Sequence, residues 1–201
     1  MSPTAYRGAP AVVAAVVEFL SAGTHGGSGS PAETLNDTLA LVRTANSVAA
    51  SALPDIAEFR SWLTKGPTGN LFPSLSVVWE GDNGEEDPYS GRAFSHSLSL
   101  HLYLPVREVE DSTGTIDQQE AAVRAIGLYA SALKTIFYRE TGTNDPAAGK
   151  DLNNGGTGRA QGHIALSRLG RSAPMIAGTE AVPAIVLVTD LMVRIREPYR
   201  A

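Results

Sequence analysis

The sequence predicts an α+β fold: an antiparallel or mixed sheet of about four or five strands packed against amphipathic helices, with an extra helical region at the N-terminus. Three stretches carry that expectation. Leu71 to Arg107 holds two runs in which apolar and polar residues alternate, the pattern of strands with two unlike faces. Ile116 to Phe137 repeats apolar residues every three or four positions, the pattern of a helix with one dry face. Ala184 to Arg196 is apolar on both sides at its start and amphipathic at its end, as in a central strand that emerges at the surface. Strand, strand, helix, strand lays a helix over one sheet face. The expected division is a helical region at 1–70 and an α+β core at 71–201, within a single compact domain.

Taken in order, Ala9 to Ala22 reads as a buried helix built on Val12, Val13, Val16, Val17, Phe19 and Leu20. Its apolar run also resembles a signal-peptide core, but it contains Glu18 and is too short to span a bilayer. His25 to Ser30 is a glycine-rich joint. Ser30 as N-cap, Pro31 at the first helical position and Glu33 completing a capping box then predict a helix to about Ala52. Leu35, Leu39, Val42, Ala45 and Ala49 mark its inner face. Pro54 breaks or kinks it, and Ile56 to Leu63 adds a further helical turn or two.

In the first strand, Leu75, Val77 and Trp79 share a face. In the second, Leu98, Leu100, Leu102 and Leu104 alternate with Ser97, Ser99, His101 and Tyr103. Asp82 to Asp87 between them is read as an acidic hairpin tip built around Asn83-Gly84. Thr115-x-x-Gln118 and Asp117-x-x-Glu120 offer capping boxes for the helix that follows. Its inner face is Ile116, Val123, Ile126, Ala130, Leu133 and Phe137, joined by Tyr129 and Ile136. Thr141 to Glu180 has turn composition and reads as a long loop, with His163 to Leu169 as a short strand inside it.

Composition narrows the function. The chain has 201 residues, a net charge of −5, 18% charged residues and no cysteine. Disulfide scaffolds, thiolate metal sites and cysteine nucleophiles are excluded, and a basic nucleic-acid-binding face is disfavoured. His96 and His101 lie five apart on a strand, hence on opposite faces, and read as exposed or interface residues that cannot share a metal. Asp82, Glu85, Glu86 and Asp87 lack the ordered ligand alternation of an EF-hand. Asn153 to Arg159 lacks the Lys-Ser/Thr ending of a phosphate loop, and Gly26-Gly-Ser28 is not a nucleophile elbow. Asn36-Asp-Thr38 is a formal glycosylation sequon placed in a helix. No catalytic, cofactor or metal residue is assigned, and the chain is not read as an enzyme.

The assembled pattern resembles the tail terminator (tail-completion) proteins of long-tailed bacteriophages, typified by the minor tail protein U group. The likeness rests on Leu71-Phe-Pro-Ser-Leu-Ser-Val-Val-Trp-Glu-Gly81, on Ser99-Leu-His-Leu-Tyr-Leu-Pro-Val106, on the amphipathic helix, and on the closing Leu191-Met-Val-Arg-Ile-Arg-Glu197. It covers about residues 70–138 and 182–198. The N-terminal region and the 141–180 loop are longer than in the smallest family members.

The resemblance implies a virion protein of the phage neck, assembled in the host cytoplasm as a homohexameric ring. That ring caps the tail tube, stops its polymerisation and presents a surface to the head connector. Its partners would be further copies of itself, the tail tube protein and a head-completion or connector protein. DNA would pass through the lumen without sequence-specific binding, and no membrane would be involved. Candidate interface residues are Asp82, Glu85, Glu86, Asp87, Arg159, Arg194 and Arg196. The acidic hairpin and the 141–180 loop are expected to order on contact with neighbours. Alternatives are another head–tail connector or head-completion adaptor, a small cytosolic enzyme with its site near Arg159 and His163, and a secreted protein.

Overall fold

The computed structural model describes residues 8–22, 34–61, 71–87, 91–105, 115–138, 163–179 and 182–197. The described elements are helices α1 (Gly8–Ala22), α2 (Leu35–Asn46) and α3 (Thr115–Tyr138), and strands β1 (Glu58–Ser61), β2 (Ser74–Asp87), β3 (Gly91–Pro105), β4 (His163–Thr179) and β5 (Val182–Glu197). The strands form one mixed sheet in the order β1-β2-β3-β5-β4. Only the β1–β2 pair is parallel; β2–β3, β3–β5 and β5–β4 are antiparallel. This is the α+β class that the sequence predicts.

The core lies between the three helices and one face of the sheet. Leu98, Leu100 and Leu102 of β3 are buried with Leu75 and Val77 of β2 and Leu187, Leu191, Val193 and Ile195 of β5. Val12, Val16, Phe19 and Leu20 of α1, Leu35 and Leu39 of α2, and Ile126, Tyr129, Leu133 and Phe137 of α3 close over them. Phe19 and Phe137 stack with ring centroids 5.2 Å apart. Strand β5 pairs on both sides along its length, which explains why its start is apolar on both faces.

Helix α2 starts later and ends earlier than its periodicity suggests. Thr34, not Ser30, is the N-cap: its hydroxyl accepts from the Asp37 N–H, and the Asp37 carboxylate accepts from the Thr34 N–H. Ser30 to Glu33 lie outside the described residues. The helix stops at Asn46 because Ser47 takes a left-handed conformation, φ 53°, and the Val48 N–H turns back to the Arg43 carbonyl. Ala45 and Ala49 are consequently exposed.

Four expectations are corrected. The Ile56–Leu63 stretch is not helical; its described part carries β1. The Asn36 side chain bonds both the N–H and the C=O of Ile56, and the Ala57 N–H reaches the Pro73 carbonyl at 2.8 Å, so the chain is drawn alongside β2. Asp82–Asp87 is not a hairpin tip, because β2 continues through it, paired with β3 as far as Asp87. A strand paired along one side needs no apolar alternation where it extends past the core. The expected short strand at His163–Leu169 is a seventeen-residue strand, β4 (His163–Thr179), at the sheet edge. Pro174 is tolerated there because an edge strand does not need every N–H in the ladder. Finally, Val123 of α3 is exposed, not part of the inner face. Residues 139–162, including Arg159, lie outside the described residues.

Candidate assembly surface

Strand β1 pairs only with Ser74 to Val77, so the outer edge of β2 from Val78 to Asp87 has no strand beside it among the described residues. At the start of this free stretch the ladder slips. Trp79 faces Leu98, Gly81 faces Ser97, and Glu80 is the extra residue of a bulge. Gly81 has φ 153°, a conformation that a side chain would strain. Trp79, in alternation with Leu75 and Val77, is on the helix side but at the rim of the core, 37% exposed. Its indole N–H donates to His96 Nδ1 at 3.3 Å.

His96 is fully buried, against the expectation of an exposed or interface histidine. It shares the leucine face of β3, and β5 and the bulged β2 enclose it. Burial pushes its pKa below the ordinary 6.5, while the Asp82 carboxylate, 3.9 Å away, works in the opposite direction. His101 lies on the opposite face, as the spacing predicts. Among the described residues no cluster of His, Asp or Glu is arranged to hold a metal, and no helix is long and apolar enough to cross a membrane.

The outer sheet face carries a short hydrogen-bonded chain that deserves a chemical test. Ser99 Oγ lies 2.7 Å from Glu80 Oε1 and 2.8 Å from His101 Nε2. The single hydroxyl proton of Ser99 goes to the Glu80 carboxylate. Nε2 of His101 is then the donor to Ser99, so it holds no lone pair to receive the serine proton. That is the reverse of a nucleophile and its general base. Ser99 is also buried. The chain ties β2 to β3 across the bulge.

The candidate interface residues within the described strands, all but Arg159, gather at one end of the sheet. Asp82 is opposite His96, Glu85 opposite Ala93, Glu86 opposite Arg92 and Asp87 opposite Gly91. Across β3, Arg194 is opposite Ser95 and Arg196 opposite Ala93. Acidic β2 positions and basic β5 positions are therefore level with each other, two strand spacings apart, about 10 Å.

Sequence reasoning missed two more residues at this end, Arg168 and Arg171 of β4, both exposed. Their signal was the Arg168-Leu-Gly-Arg171 break in alternation, which coincides with the register shifts of β4. A Cβ on Gly170 would sit 2.7 Å from the Asp190 Cβ, so the strand depends on glycine to approach β5 there.

No protein-family profile matches the chain, and no curated protein matches it. Among solved structures it is similar to a chain of the virion of a native gene transfer agent (GTA) particle, with a TM-score of 0.29 and 14% identity over 79% of this chain and 92% of that one. A TM-score that low is a faint likeness of chain path and carries no weight for function.

Proposed function

We propose that this chain is a structural virion protein that acts as a tail terminator: a ring that caps the tail tube, stops its growth and joins it to the head connector. The sequence resemblance supports this reading, since the hairpin, the amphipathic helix and the closing strand appear in the expected order and build one sheet. The observation that carries it is the inequality of the two sheet edges. A ring closes through head-to-tail contacts between two different patches of each subunit, and β1-β2 at one edge and β4 at the other are two such patches.

In this reading Asp82, Glu85, Glu86, Asp87, Arg159, Arg194 and Arg196 take part in contacts between subunits or with neck partners. The net charge of −5 suits a wall that lets a polyanion slide past without gripping it. The partners are further copies, the tail tube protein and a head-completion protein, within the virion neck.

The test is to add the purified protein to tail tube subunits as they polymerise. Arrest of growth, with the protein located at tube ends, is the expected result. Unchanged growth with no protein at the ends overturns the reading. Binding to the portal or head connector alone identifies a connector adaptor instead.

A further inference from the structure

We propose that neighbouring copies join edge to edge, the His163–Arg171 half of β4 in one copy adding to the Val78–Asp87 edge of β2 in the next. This rests on the ring reading and specifies its contact. Four features of the sheet converge on it.

The first is strand sense. β2, β3, β5 and β4 alternate in direction, so β4 runs opposite to β2. Copies related by rotation about an axis along the strands keep their orientation. The β4 of one copy therefore meets the β2 of the next as an antiparallel pair, the commoner kind.

The second is height along the sheet. Following the register across, Ser61, Val77, Leu100, Thr189 and Ser172 form one row. Below that row β1 already occupies the edge of β2, and β4 there carries Pro174, which cannot donate to a ladder. Above it β2 is without an outer neighbour among the described residues, and β4 runs from Arg171 to His163. The half of each edge open to a partner is thus the same half.

The third is charge. The free stretch of β2 contains Glu80, Asp82, Glu85, Glu86 and Asp87 and no basic residue, whereas β4 contains Arg168 and Arg171 and no acidic residue. Two copies of the β2 edge repel each other, and so do two copies of the β4 edge. Only the unlike pairing is attractive, and it is the one that propagates head to tail.

The fourth is that Arg168 and Arg171 are exposed and make no ion pair among the described residues. Long exposed edges are normally guarded against pairing. Here the guard is selective, since each edge excludes its own kind and admits the other.

The experiment uses the full chain in two charge-reversed forms, R168E/R171E and E80K/D82K, whose altered positions lie level across the proposed contact, with circular dichroism and thermal unfolding to compare their folding with wild type. Assembly is read by sedimentation and electron microscopy at a concentration where wild type forms rings. Each form alone is expected to lose the ring species. An equimolar mixture is expected to recover it, because acidic β2 then meets basic β4 and basic β2 meets acidic β4 in alternation. Recovery also shows that both forms are folded. The neutral R168Q/R171Q form is expected to assemble only at higher concentration, and the wild-type ring to weaken as salt rises. Rings from either reversed form alone, or no recovery on mixing, overturn the edge pairing while the ring reading stands. A wild-type chain that never forms rings, even with tube ends present, overturns both.

Discussion

Protonation of His96 is opposed by its burial and by the indole N–H that already points at Nδ1. Because folding lowers this pKa, the unfolded chain takes up the proton more readily than the folded one. The stability at stake is complete above the ordinary value of 6.5 and is lost as pH falls below it toward the lowered pKa. The expected outcome is a melting temperature that falls between about pH 7 and pH 5 more steeply in wild type than in His96→Gln. Parallel curves would show that His96 does not titrate on unfolding. Ser76 makes a second residue-scale case: its hydroxyl is fully buried without a hydrogen-bond partner among the described residues, as is that of Ser74. A buried orphan hydroxyl costs about 1–3 kcal/mol, so Ser76→Ala should leave the melting temperature unchanged or raise it. Tyr129 is the opposite case, because its hydroxyl donates to the Pro54 carbonyl at 2.6 Å and burial raises its pKa. Tyr129→Phe should cost about 1 kcal/mol in denaturant unfolding. The leucine alternation of β3 was legible because each inward residue from Leu98 to Leu104 is apolar. The burial of His96 was not, since it depends on a bulge in a different strand.

Elements with a strong period were legible; those held by their neighbours were not. Helix α3 and strand β5 carry their apolar residues in register with the core, so sequence placed both, with Val123 misassigned and the side chain of Ile116 outside the described residues. The short β1 has no period to read. It exists because Asn36 and Pro73 bond the backbone of Ile56 and Ala57. The distal part of β2 and the edge strand β4 contain glycine, proline and charge, which are turn signals wherever a strand is not paired. Pairing with β3 and β5 overrides them. The packing of α1 against α3 gives a test at this scale. Phe137 is buried and stacked on Phe19, so Phe137→Ala should cost about 3–5 kcal/mol, read by denaturant unfolding. A loss below about 1 kcal/mol would mean that the two helices are not held by this stack.

The whole molecule is built on a sheet whose helices cover one face and whose two edges are unlike in sequence, charge and neighbours. In the proposed reading, two unlike edges favour head-to-tail contacts, which build open or closed series instead of two-fold dimers. The charges of β2 and β5 were legible in the sequence. The basic edge of β4 was not legible as a strand edge, because β4 lies within a region of turn composition. The most direct test is electron microscopy of the purified protein alone and with tail tubes. The account predicts closed six-fold rings with a central hole, seated on the tube ends. A strictly monomeric protein that leaves the tube ends bare would contradict it.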